Sequence, residues 1–311
     1  MHICLFTLNI KHILKSIKEQ IFYGNWFYGV CAVALSIEAS VQQFIPLNNL
    51  LYYVFVFAAT VIYYSKAYLN TTVNVDSENE RTSWYFKHQK SNNIKQWLLA
   101  FLLIIISFMM GNHIGNSWMH LSVIEYSLIL FFPFVALGYY GFGYCFNLRN
   151  NGWSKPFVIG LVWAGVVTLY PVLFRSITNH DLFVLSLRCV ILFVKNWMFI
   201  AMLCILFDIK DYAVDANQSL NTFVVQKGLR ETIFKVVMPL TIAGFVVFVV
   251  YAFNSQFSMG RILFNTIPFV ALLLVSFTLI SRKSLLYYLS VVDGLMLLKA
   301  VCGILGIILY K

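Results

Sequence analysis

The chain is a succession of long apolar blocks separated by short polar stretches. Residues 191–207, ILFVKNWMFIAMLCILF, contain a single charge, Lys195. In a lipid core every backbone polar group must be satisfied within its own segment, and a helix of about 20 residues does this while crossing. Blocks of this kind fall near 26–43, 47–69, 97–114, 120–144, 156–176, 182–207, 229–253, 262–281 and 285–310. The expected fold is all-α: a polytopic membrane protein of about nine transmembrane helices, with residues 1–311 as one transmembrane domain. A membrane β-barrel would show short alternating segments instead. Composition agrees. Hydrophobic residues are 60% of the chain and charged residues 11%, against roughly 25% charged in soluble domains.

The charges fix an expected orientation. Lys11, Lys15 and Lys18 precede the first block as a basic amphipathic lead-in with no small-residue cleavage site. Lys66, Arg81, Lys87, Lys90 and Lys95 follow the second block; Arg149 and Lys155 follow the fourth. Lys210, Lys227 and Arg230 follow the sixth, and Arg282 and Lys283 the eighth. The alternate connections hold little beyond Arg175 and Arg261. The positive-inside rule places the N-terminus and the basic loops in the cytoplasm, and the expected setting is a bacterial inner (plasma) membrane. The net charge of +10 is thus mostly a topology signal. It is spread over membrane loops rather than gathered in one basic domain, which excludes nucleic acid as a partner.

Two of the inner loops are long, near 70–96 and 208–228, and long loops in compact architectures are usually functional or disordered. The second opens with Asp208-Ile-Lys-Asp211-Tyr-Ala-Val-Asp215. Spacings of three and four bring the three carboxylates to one helical face. Like charges there repel, so a cation is the natural missing partner. The competing reading is a solvated loop with Lys210 as neighbour.

The segment FDIKDYAVD, then SLNTF, then Lys227-Gly228, resembles the second Asp-rich motif of the UbiA superfamily of intramembrane prenyltransferases. Asp208, Asp211, Asp215, Thr222 and Gly228 match its pattern, while Phe223-Val224 replaces the expected Leu-Pro. Tyr144-Cys-Phe-Asn147-Leu-Arg149, leading to Trp153-Ser-Lys155, is similar to the family's loop after helix four. Tyr287-Tyr288 with Asp293-Gly294 is similar to its last helix. The resemblance implies a UbiA-like helical barrel and transfer of a prenyl group from a polyprenyl diphosphate to a hydrophobic or aromatic acceptor in the bilayer. It implies Mg²⁺ as cofactor, with Asp208, Asp211 and Asp215 as its ligands. Lys66, Arg149, Lys155, Lys227 and Tyr144 are the candidate substrate contacts. The chain departs from the family at the end of the second block. A carboxylate-rich first motif is expected there, but the sequence reads Tyr63-Tyr64-Ser65-Lys66-Ala67-Tyr68-Leu69-Asn70. Lys66 is the candidate replacement, a point charge able to meet a diphosphate directly. The same departure leaves open a non-catalytic UbiA-like protein that binds an isoprenoid or a protein partner.

Other groups have simpler readings. Asp76, Glu78 and Glu80 read as a solvated loop. Glu38 and Lys195 fall inside blocks, where an ionisable group is a functional hypothesis by default. Glu38 reads equally as a chamber-facing group or a protonated, hydrogen-bonded core residue. Lys195 is expected to pair with a carboxylate, Arg188 to snorkel outward, and Asp293 to serve helix packing. A transporter using Glu38, Lys195 and Asp293 is the weakest alternative. The six cysteines form no CxxC pair, and His113, His120 and His180 lack i,i+4 partners, so neither set reads as a metal site. No GxSxG, Walker, HExxH or GxGxxG motif occurs.

Overall fold

The computed structural model describes residues 15–69, 80–115, 121–140, 152–181, 183–217 and 221–310, and among these every regular element is helical. In order these are α1 (15–22), α2 (Trp26–Gln42), α3 (Leu50–Leu69), α4 (Glu80–Lys87), α5 (Gln89–Ile114) and α6 (Val123–Tyr140). There follow α7 (Lys155–Asn179), α8 (Leu187–Asn217), α9 (Phe223–Lys227), α10 (Leu229–Asn254), α11 (Met259–Thr278) and α12 (Leu285–Leu309). Seven stretches among the described residues are long and apolar enough to cross a membrane, in α3, α5, α7, α8, α10, α11 and α12. Trp26–Gln42 and Val123–Tyr139 are shorter apolar helices. The chain is an integral membrane protein.

The helix surfaces explain the apolar excess. Leu98, Phe101, Ile104 and Phe108 of α5 are all largely exposed, as a helix that is apolar all round can be only when lipid covers it. Prolines set local irregularities. In α7 the π-helical turn Gly165–Leu169 immediately precedes Tyr170-Pro171, and in α10 the turn Ile233–Val237 precedes Met238-Pro239. A proline has no N–H to bond the carbonyl four residues back, and a wide turn absorbs the mismatch. A third π-helical turn, Tyr288–Val292, leads into Asp293 in α12.

Two corrections concern the expected inner loops. Residues 80–87 form α4 and 89–96 the start of α5, joined by a turn at His88, so this part of the expected loop is largely helical. Helix α8 runs ten residues past the expected end at Phe207, so the Asp triplet is helical throughout. The reason is the same in both places: the apolar pattern marks where lipid ends, whereas a helix continues into water as long as its backbone bonds are made.

The chain forms two compact units. One holds the described residues up to Val33 together with Asn49–His113; the other holds Ala34–Asn48 and the described residues from Ile114 onward. Helix α2 passes from one to the other. In the second unit α7 packs along α8 and α11 along α12. A buried polar bond pins α7 to α8, Asn196 Nδ2 donating to Thr168 Oγ1 at 2.7 Å, and Asn48 Nδ2 ties the segment after α2 to the Pro171 carbonyl of α7 at 3.0 Å.

Candidate active site

The Asp triplet occupies the C-terminal three turns of α8. Asp208 and Asp215 are seven residues apart, two turns, and both are buried, at 2% and 6% exposure; Asp211 is half-buried. The solvated-loop reading fails for the first two. Lys155, the first residue of α7, reaches across to Asp208, with Nζ 2.5 Å from Oδ1. The α7–α8 packing that makes this possible puts two helix ends side by side. Asp208 Oδ2 is buried and has no hydrogen-bond partner among the described residues. Asp211 pairs with the adjacent Lys210. Lys155 also lies within electrostatic reach of Asp215, so one ammonium faces two buried carboxylates.

The loop that follows is held by backbone approach. Thr222 caps α9, its Oγ1 accepting from the Val225 N–H at 3.3 Å, and Gly228 ends that helix at φ 79°, a left-handed conformation open to glycine. Thr232 Oγ1 donates to the Phe223 and Gly228 carbonyls. Gly152 packs directly on this turn: a Cβ there would lie 2.5–2.7 Å from the Asn221–Thr222 peptide. Trp153 packs against Phe223 with ring centroids 4.4 Å apart and planes tilted by 35°, and donates from Nε1 to Gln226 at 2.6 Å. Thr222 and Gly228, motif positions by resemblance, therefore shape and dock the turn. Lys227 is exposed at the end of α9. Tyr144 and Arg149 lie outside the described residues, as do Asp76, Glu78 and His120.

In the first unit, the end of α3 holds a polar network where the first Asp-rich motif is expected. Arg81 is buried: Nε donates to the Tyr23 carbonyl at 3.1 Å, Nη1 to Tyr68 Oη at 3.2 Å, and Nη2 to Asn25 Oδ1. Its guanidinium lies 4.4 Å from the Tyr68 ring centroid. Asn25 Nδ2 donates to Ser65 and Tyr85, and Tyr85 Oη to Ser65 Oγ at 3.1 Å. Tyr23 Oη donates to Glu80 at 2.9 Å, and burial together with that bond pushes its phenol pKa up. Glu80 is thus a hydrogen-bonded residue as well as an exposed one. Lys66 is exposed on the last turn of α3.

The intramembrane ionisable groups pair in ways the sequence does not anticipate. Glu38 of α2 is fully buried and accepts from Lys299 Nζ of α12 at 2.9 Å. It is a buried, hydrogen-bonded core residue, and its partner is a lysine that the sequence reading does not name. Lys195 has no carboxylate of its own among the described residues; it donates to Asn265 Oδ1 of α11 at 3.1 Å. Lys299 escapes the sequence reading, although it lies inside an apolar block and the rule that flags Glu38 and Lys195 applies to it equally. Asp293 is buried in α12, and both it and Asp208 lie within electrostatic reach of Cys204.

A comparison of folds decides the architecture. A solved structure of a digeranylgeranylglyceryl phosphate synthase in membranes, a UbiA-superfamily intramembrane prenyltransferase, matches 94% of this chain and 99% of its own, with a TM-score of 0.54 and 13% identity. The chain has the UbiA fold. No protein-family model and no curated protein sequence matches it. Within the UbiA fold, α8 carries the Asp-rich segment at its C-terminal end, with Lys155 from α7 against it.

Proposed function

We propose that this UbiA-fold protein transfers a prenyl group from a polyprenyl diphosphate to a hydrophobic or aromatic acceptor within the membrane. The observation that carries the reading is Asp208: a buried carboxylate with one oxygen on Lys155 and the other without a hydrogen-bond partner among the described residues, at the Asp-rich end of α8. A buried anion of this kind is costly unless a cation completes its shell. Among the described residues no group of three or more His, Cys, Asp or Glu side chains converges to hold a metal ion. The donor set fits Mg²⁺ in its other common mode, one or two protein carboxylates with substrate phosphates and water completing the octahedron. Asp208 and Asp215 would hold it, with Asp211 as a third candidate. When bound, Mg²⁺ supplies a hard Lewis acid that stabilises charge on a leaving diphosphate.

The chain's own residues contribute the rest. Lys155 neutralises Asp208 and offers its remaining N–H donors to diphosphate oxygens. Lys66, Arg149, Lys227 and Tyr144 are further proposed contacts. The proposal places the Asp end and the N-terminus in the cytoplasm of a bacterial inner membrane, which reporter fusions after residues 15 and 310 test directly.

Isothermal calorimetry with a non-hydrolysable geranylgeranyl diphosphate analogue tests the function. Saturable binding that needs Mg²⁺ and disappears in the Asp208→Asn, Asp211→Asn double variant supports it. Undiminished binding in that variant rejects the metal assignment. Absence of binding with and without Mg²⁺ favours the non-catalytic reading instead.

A further inference from the structure

Helix α8 carries a second charged region about 20–30 Å from Asp208, since Lys195 and Arg188 precede it by thirteen and twenty residues at about 1.5 Å each. Here the sign is reversed. Arg188 and Lys195 of α8 and Arg261 of α11 all line one cavity of about 200 Å³. Lys299 and Glu38 also lie within electrostatic reach of Lys195. Glu38 gives Oε2 to Lys299 while its Oε1 has no hydrogen-bond partner among the described residues, and none of Arg188, Lys195 and Arg261 has a carboxylate within ion-pair distance there.

Their partners are neutral. Lys195 bonds Asn265 and lies 5.2 Å from the Phe248 ring centroid. Arg261 is 8% exposed; its Nη2 donates to Gln42 Oε1 at 3.1 Å, its guanidinium lies 3.6 Å from the Phe257 centroid, and its Nε is buried with no hydrogen-bond partner among the described residues. A buried guanidinium N–H left unsatisfied is costly, and a lysine inside an apolar block without a carboxylate partner more so.

Phe44 adds an independent sign of construction. It stands at φ 57° just beyond the end of α2, where the Phe44 N–H bonds the Val41 carbonyl and the Ile45 N–H the Ser40 carbonyl. That is the Schellman arrangement, whose left-handed position ordinarily takes glycine. A phenylalanine there is a genuine outlier, and its ring lies 5.1 Å from the Arg188 guanidinium and 5.5 Å from that of Arg261.

Apart from Gln42 the remaining walls are mostly apolar, among them Met198, Met202 and Phe269, and Val190, Val194 and Val247 are exposed at the rim between α8 and α10. The cavity therefore opens sideways onto the lipid-covered surface. An apolar cavity of about 150 Å³ accepts a benzene ring, so about 200 Å³ suits part of an alkyl chain.

We infer that this cavity binds an anionic amphiphile entering from the bilayer, with a phosphate or carboxylate headgroup held by Arg188, Lys195 and Arg261 and the start of its apolar chain inside. The inference is independent of prenyl transfer at the Asp end.

The test uses the full chain in phosphatidylcholine nanodiscs, titrated by calorimetry in EDTA so that Mg²⁺-dependent binding near Asp208 is silent. Three probes are compared: dodecyl phosphate, dodecylphosphocholine and inorganic phosphate. Dodecyl phosphate is expected to saturate one site, about tenfold or more tighter than dodecylphosphocholine, and to bind much more tightly than inorganic phosphate. Lys195→Gln and Arg261→Gln should each weaken it about tenfold, the equivalent of one lost charge-assisted hydrogen bond. Lys235→Gln, exposed on α10, should leave it unchanged. Equal affinity for the two alkyl probes, or insensitivity to Lys195→Gln, overturns the inference. Inorganic phosphate binding as tightly as dodecyl phosphate overturns the amphiphile assignment. Should Arg261→Gln fail to fold, Arg188→Gln, at an exposed position, replaces it, and an unchanged affinity there counts against the site.

Discussion

One helix, α8, presents opposite charge at its two ends. At the C-terminal end two buried carboxylates share one lysine; toward the N-terminal end three cations share aromatic rings and amides. The helix macrodipole favours the reverse arrangement, anions at the N-terminus and cations at the C-terminus. Neither end is therefore stabilised by the helix itself. Among the described residues Asp208 Oδ2 has no hydrogen-bond partner at one end, and Arg188, Lys195 and Arg261 have no carboxylate within ion-pair distance at the other, so what each end lacks is of opposite sign. A static hydrophobic bundle has no use for either, and this is the ground on which both ends are proposed as ligand sites.

The sharpest way to break this comparison is to shift the charge balance at the Lys end. Glu38→Gln removes the one carboxylate paired there and leaves Lys299 buried without a counter-charge. The expected loss is about 3–5 kcal/mol, measured by reversible unfolding in mixed detergent micelles. Adding Lys299→Met should recover most of it, because a pair replaced by apolar groups is often neutral. A double variant no more stable than Glu38→Gln alone would show that Glu38 serves Lys195 or Arg261 instead.

Gly303→Ala is expected to act through the same carboxylate. Its Cβ would lie 2.6 Å from Glu38 Oε1 and Cγ, and forcing that contact apart should cost about 1–3 kcal/mol. Thermal unfolding equal to that of the unchanged protein would mean that α2 and α12 separate freely at this point, and that the Glu38–Lys299 pair is not rigidly placed.

At the opposite end, Thr222→Ala removes the cap of α9 and should cost about 1 kcal/mol of local stability, read as faster amide exchange over 223–228. Diphosphate binding should weaken only modestly, since Thr222 shapes the turn. Complete loss of binding with unchanged exchange would move Thr222 from scaffold to ligand contact.

The smallest effect expected is a gain. Phe44→Gly relieves the left-handed strain and should stabilise the end of α2 by about 1 kcal/mol, while weakening dodecyl phosphate binding. Stability and binding that fall together would show that the ring is ordinary packing.

Much of this architecture is legible in the sequence. Every apolar block holds a helix over the described residues, because covering about 20 residues in lipid leaves the backbone no alternative. The Asp triplet is visible as chemistry, because three carboxylates beside an apolar run are rare and expensive. Its helical state beyond Phe207 is not, since hydropathy reports the solvent around a helix and not where it stops. Pairing is least legible. Lys195 is expected to meet a carboxylate, yet Glu38 pairs with Lys299, some 261 positions away in sequence. Nothing local distinguishes two lysines in two apolar blocks; the choice depends on which helix faces α2, and Gly303 admits Glu38 where a larger residue would not. Arg81 likewise reads as a topology charge and is buried among tyrosines near the end of α3.

The sequence by itself determined that the chain spans a membrane as helices, and which of its few charges would be costly there. The tertiary structure alone decided who compensates whom: Lys155 for Asp208, Lys299 for Glu38, and aromatic rings and amides for Lys195 and Arg261. The physical reason is range. Burial in lipid is enforced residue by residue along the chain, whereas an ion pair exists only within about 4 Å, a distance that helix packing sets and local sequence does not.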